Sequence, residues 1–144
     1  MTSRTLRDGQ EAAVIDVGSN SVRLVVYRID GRAMTPILNE KVMAGLGRGG
    51  AKTGELSKDG VEQAIRALRR FATLIDALQI DEVFAVGTAA VREAKDGKAF
   101  AARMEAESGI KLRILSGEDE ARLSALGVMA GAPETVRIHQ TAGA

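Results

Sequence analysis

The chain has 144 residues, 45% of them hydrophobic and 27% charged, proportions that suit one globular domain and exclude general disorder. Aromatic residues make up 3%, so the core must be built from Ala, Val, Leu and Ile; 20 basic against 19 acidic side chains leave a net charge of +1, too little to draw the whole chain onto nucleic acid or an anionic membrane. The absence of cysteine excludes disulfides and thiolate metal sites and fits a reducing cytoplasm, and the single histidine, His139, excludes a histidine cluster for zinc.

Residues 1–11 are polar, lack the apolar core of a signal peptide, and are read as a loose leader. No run of about 18 apolar residues occurs, so no membrane-spanning helix is expected. The apolar run AAVI (12–15) is followed, after a few turn-forming residues, by the β-branched run VRLVVY (22–27), which predicts a hairpin. Asp30-Gly31 signals a second turn, and a third strand over 35–43 completes a meander. GLGRGG (45–50) reads as a flexible loop. From 57 to 79 the period changes: Val61, Ile65, Leu68, Ala72, Ile75 and Leu78 recur on one helical face, with Ser57 placed as N-cap. A short strand over 82–86 ends at Gly87-Thr88, residues 89–94 look helical, and Asp96 is placed to cap a further helix that stops at Gly109. KLRIL (111–115) alternates like a half-buried strand, and SGED (116–119) has the capping-box pattern for a helix over 120–130. The order βββαβαβα predicts an α/β domain with a mixed sheet whose meander lies at one end.

In DVGSNSVR (16–23) Gly18 lets the backbone turn tightly, Ser19, Asn20 and Ser21 offer donors, and the strand period puts Arg23 on the same side as Ser19 and Ser21. That concavity suits a phosphate, although the same residue types also serve an ordinary hairpin turn. Asp16 would repel an anion there unless a hard divalent cation such as Mg²⁺ lies between them. GLGRGG contains a formal GxGxxG, but the next helix begins too late to hold a pyrophosphate, so a loop with one cation, Arg48, is preferred to a dinucleotide site. TAAVR (88–92) combines a helix start with Arg92 one turn on, a pattern open both to anion binding and to plain capping. Glu118, Asp119 and Glu120 suit a helix N-terminus by dipole complementarity alone; helical spacing pairs Glu118 with Arg122 and makes Glu120 the better candidate for an inward-facing carboxylate that burial would make a base toward water.

The stretches VIDVGSNSVRLVVY, GLGRG, VGTAAVREA and ILSGEDEARLSALGV, in that order from about residue 12 to 129, resemble the N-terminal part of the exopolyphosphatase and guanosine pentaphosphate phosphohydrolase (Ppx/GppA) family. The resemblance implies an actin-like, ribonuclease H-like fold, shared with sugar kinases and heat-shock ATPases, in which Gly18, Ser19, Asn20 and Ser21 form the first phosphate loop and Asp16 is a metal partner. It places Arg23 and Arg92 near bound phosphate and Glu120 at the catalytic glutamate. The implied reaction is Mg²⁺-dependent hydrolysis of a terminal phosphoanhydride of polyphosphate or guanosine pentaphosphate; the segment SGEDEARL argues against a kinase.

The likeness fades after Gly131. No second glycine-rich phosphate loop of the DLGGGS kind follows, and residues 132–144 read as a divergent tail containing His139. The expectation is therefore a domain over 12–131 without a second actin-like domain, a truncated form with little turnover of its own. Its helix over 120–130 would keep an uncovered apolar face that favours a homodimer. The competing expectation is a non-catalytic domain that binds phosphate or an alarmone.

Overall fold

The computed structural model describes residues 8–125. The expected meander is present as β1 (Glu11–Val17), β2 (Val22–Asp30) and β3 (Ala33–Val42), each antiparallel to the next. Two parallel strands follow, β4 (Glu82–Gly87) beside β1 and β5 (Leu112–Ile114) beside β4, giving the sheet order β3-β2-β1-β4-β5. The helices are α1 (Gly50–Thr53), α2 (Lys58–Ala77), α3 (Ala89–Glu93), α4 (Gly97–Ser108) and α5 (Gly117–Ala125).

Strand alternation sends Ala13, Ile15 and Val17 of β1, with Val22, Leu24 and Val26 of β2, to one face of the sheet. There they meet Ala64, Ile65, Leu68, Phe71 and Ile75 of α2 and Phe100 and Met104 of α4, all buried in one continuous core. Ser57 caps α2 as expected, its hydroxyl accepting from the Gly60 amide at 3.1 Å. The opposite face carries a smaller cluster of Ala12, Val25, Tyr27, Ile29 and Met34. Asp16 belongs to that face by period, cross-strand from Arg23.

Several local expectations are corrected. Residues 8–11 are not a loose leader: Gly9 N–H donates to Ile29 O at 2.8 Å, Ile29 N–H to Gln10 O at 2.9 Å, and Asp8 accepts from the Gly31 amide at 2.7 Å. Asp96 stands at the N-cap of α4 as expected, but its side chain makes no cap; its carboxylate instead accepts the Leu56 amide at 2.9 Å, forty residues back in the chain. Thr88 makes no side-chain cap to α3. The 45–50 segment is no flexible loop, since Leu46 is fully buried and its carbonyl accepts from the Ser57 amide at 2.9 Å, and it leads into the short α1. The capping helix begins at Gly117, with the Asp119 amide donating to the Ser116 hydroxyl at 3.0 Å. The expectations for residues beyond 125, including the apolar face of the last helix, His139 and the tail, lie outside the described residues.

Candidate active site

The parallel strands β1, β4 and β5 end side by side, so the segments leaving them are stitched together: Thr88 N–H donates to Val17 O at 3.2 Å and Leu115 N–H to Gly87 O at 2.9 Å. This edge brings together residues 18–21, Thr88 to Arg92 and the start of α5, three stretches that are far apart in sequence. Crevices at the carboxyl ends of parallel strands are where open α/β sheets bind ligands.

The hairpin turn is closed by Gly18 N–H to Ser21 O at 3.0 Å. Asp16 lies at the root of the turn, and its Oδ1 is buried with no hydrogen-bond partner among the described residues. Burial pushes the Asp16 carboxyl above its ordinary value of 3.8; Arg23 opposes this in part, and the Glu120 carboxylate adds to it. The Glu120 carboxylate thus lies within electrostatic reach of Asp16. Glu120 and Arg92 are each about seven-tenths buried, with side chains 30% and 28% exposed, and the Arg92 guanidinium donates to Glu120 Oε2 at 3.0 Å and to the Leu115 carbonyl at 2.9 Å. Arg92 thus lies at this edge, where it grips the glutamate and the strand end. Glu118 is exposed, and it is Asp119, not Glu118, that pairs with Arg122, at 2.5 Å and three residues apart. Arg122, Ser116 and Arg113 hold the Asp119 carboxyl below its ordinary range despite some desolvation.

A cavity of about 380 Å³ beside the turn is lined by Ser19, Gly47, Ala51, Ala89, Ala90 and Glu93, among others. Asp16, Arg23, Arg92 and Glu120 do not line it, so these charged side chains lie off the cavity, which takes Ser19 from the turn and Ala89 and Ala90 from the start of α3. The part of the site that sequence reasoning missed is the 45–50 loop, whose Gly45 and Gly47 amides donate to Asn20 O at 3.0 Å and Ser19 O at 2.9 Å. Its density of glycine was the available signal, and it was read as mobility instead of close approach.

The sequence model of the Ppx/GppA phosphatase family matches residues 25–140, most of the chain. This chain belongs to the Ppx/GppA phosphatase family. The match runs on to residue 140, beyond Gly131, after which the likeness was expected to fade. Exopolyphosphatase 1 of Mycobacterium bovis is 34% identical over 116 residues, which are 80% of this chain and 34% of that protein, and Exopolyphosphatase 1 of Mycobacterium leprae is 33% identical over 118 residues. The chain thus spans about a third of the length of the curated relatives it matches. Among solved structures, the Aquifex aeolicus Ppx/GppA family member superposes with a TM-score of 0.78 at 34% identity, over 83% of this chain and 39% of that one. An exopolyphosphatase from Cytophaga hutchinsonii gives 0.77 at 31% identity, over 83% and 38%. The ethanolamine utilization protein EutJ of Carboxydothermus hydrogenoformans, at 20% identity and a TM-score of 0.50, shares the fold alone. The domain is actin-like, with the mixed sheet and helices expected of it. No helix among the described residues is long and apolar enough to cross a membrane.

Proposed function

We propose that this chain supplies the phosphate-holding and water-activating wall of a phosphoanhydride hydrolase, with inorganic polyphosphate as substrate and guanosine pentaphosphate as the second candidate. One observation carries the reading: Glu120 is held by Arg92 at the sheet edge within electrostatic reach of Asp16, whose buried Oδ1 has no partner among the described residues, beside a hairpin turn that can receive an anion. A buried, unpartnered carboxylate oxygen is costly unless a ligand completes it.

Glu120 accepts a proton from water as the water oxygen bonds to the terminal phosphorus. The bond from that phosphorus to the bridging oxygen breaks, orthophosphate is released, and the shortened polyphosphate leaves as the anion. Residues 18–21 hold the phosphoryl oxygens through amides and hydroxyls. Arg23, on the Asp16 side of the sheet, adds positive charge toward them. Arg92 orients Glu120 in the resting state.

The donor chemistry fits Mg²⁺: Asp16 offers a hard carboxylate oxygen with no partner among the described residues, and Mg²⁺ commonly takes one or two carboxylates and keeps water and substrate phosphate as its other ligands. When bound, Mg²⁺ would supply the charge that offsets repulsion between Asp16 and phosphate.

A second reading, alarmone or phosphate binding without turnover, is favoured by the Arg92–Glu120 pair itself, because the guanidinium occupies a carboxylate oxygen that would otherwise receive a proton from water. Calorimetric titration with tripolyphosphate, with and without Mg²⁺, alongside phosphate release by the wild type and Glu120→Gln, separates the two. Mg²⁺-dependent binding with release lost in Glu120→Gln supports hydrolysis. Binding with no release by the wild type supports the second reading, and no binding up to millimolar concentration ends both.

A further inference from the structure

Every peptide unit at the tip of the hairpin turn presents a donor and an acceptor, and a phosphate is repelled by the acceptor. A backbone anion site therefore needs its carbonyls bonded elsewhere and its amides turned inward. The carbonyls of residues 19–21 are all engaged: Ser21 O by the Gly18 amide at 3.0 Å, Asn20 O by Gly45 at 3.0 Å and Ser19 O by Gly47 at 2.9 Å. The amides of Ser19, Asn20 and Ser21 donate to no group among the described residues. Two of the three carbonyls are thus held by the 45–50 loop.

That loop is itself fixed from behind. The Ser57 amide holds Leu46 O at 2.9 Å, and Gly60 at the start of α2 lies so close that a Cβ there would stand 2.9 Å from Gly45 O. At Gly47 a Cβ would fall 2.1 Å from Ser19 Oγ and 3.2 Å from Ser19 Cβ, distances that force the serine to move. Gly47 is not among the residues with left-handed φ, so room, and not backbone freedom, accounts for glycine here.

We propose that the 45–50 loop is the positioning element of the phosphate site, and Gly47 its positioning residue: it draws the carbonyls of Ser19 and Asn20 away from the ligand and lets Ser19 close against the loop. This rests on residues 18–21 being the polyphosphate site. The probe is tripolyphosphate with Mg²⁺, followed by calorimetry and by amide NMR of residues 18–21. Gly47→Ala should weaken binding about tenfold, a loss equivalent to roughly one well-made hydrogen bond, and should shrink the ligand-induced shifts of the Ser19, Asn20 and Ser21 amides. In a Ser19→Ala background the same substitution should cost less, because the hydroxyl it strikes is gone. Unchanged binding in Gly47→Ala, or equal losses in the two backgrounds, overturns the proposal.

Hydrogen exchange on the wild type gives a readout that needs no variant. The Gly45 and Gly47 amides should exchange at least about tenfold more slowly than that of Gly49, as bonded amides do, and equal rates overturn the brace. If the wild type fails to bind tripolyphosphate while those two amides are protected, the brace stands as structure and the assignment of the site is what fails.

Discussion

Arg103 and Arg92 each gather acidic partners, yet the two clusters have different consequences. Arg103 of α4 donates to Glu62 of α2 and to Glu107 one turn on, so the guanidinium is saturated by carboxylates at an exposed helix–helix seam. Arg92 holds one well-made carboxylate contact, Glu120, and spends another donor on the Leu115 carbonyl at the end of β5; Glu93 stays at 3.9 Å. The first cluster closes on itself. The second leaves charge mismatched, because Glu120 lies within electrostatic reach of Asp16 and the buried Asp16 Oδ1 lacks a partner among the described residues. Saturated ion pairs on a helix surface tie elements together, whereas an edge that leaves an acid incomplete is prepared for something that arrives later.

The contrast is tested most severely by charge removal at each acid. Glu120→Gln should lower phosphate release from polyphosphate about 10²- to 10⁴-fold, the range for loss of a general base, while Glu62→Gln should leave the rate unchanged. An equal effect at both positions erases the distinction. Next in size is the pair of arginines. Arg92→Ala should cost about 1 to 2 kcal/mol in urea unfolding, since two bonds of a half-buried guanidinium are lost, with a discount for its exposure. Arg103→Ala should shift the midpoint only slightly, and the shift should disappear in about 1 M salt, where surface pairs are screened.

Two aspartates sharpen the comparison through pH. Burial raises the Asp16 carboxyl above 3.8, so the folded state keeps that proton longer than the unfolded chain and stability falls as pH climbs above this value. Asp16→Asn should gain on the wild type across that window and reach about 0.5 to 2 kcal/mol above it, measured by urea midpoints in a chelator at successive pH values. Asp119 behaves oppositely. Its carboxyl is lowered chiefly by Arg122, so its contribution is present above 3.8 and is lost as pH falls through the lower folded value. Asp119→Asn should therefore show a small deficit near neutrality that closes in acid.

Much of the fold was legible because its signals are local. The apolar run at 12–15 and the β-branched run at 22–27, the three-and-four spacing of Ile65, Leu68 and Ile75, and the Ser57 cap each depend on neighbours close in sequence. Asp96 was misread because an aspartate before a helix has the same local signature whether it caps that helix or accepts a distant amide, as it does from Leu56. The 45–50 loop was misread for a similar reason: glycine permits looseness and close approach alike, and only the neighbouring Ser19 distinguishes them. Within the site, Asp16, the 18–21 turn and Glu120 were named from residue type and family likeness, but nothing local paired Arg92 with Glu120.

By itself the sequence determined the meander, the amphipathic α2, the polar turn after the first strand and an acid at the start of α5, since each is written in a short window of side chains. Tertiary structure alone decided that β4 lies between β1 and β5, and with it which strand ends are neighbours. The order of strands depends on which faces bury best together once distant segments meet, and no single window contains that information. From that order follow the Arg92–Glu120 contact, the nearness of Glu120 to Asp16 and the orphaned oxygen on which the functional reading rests.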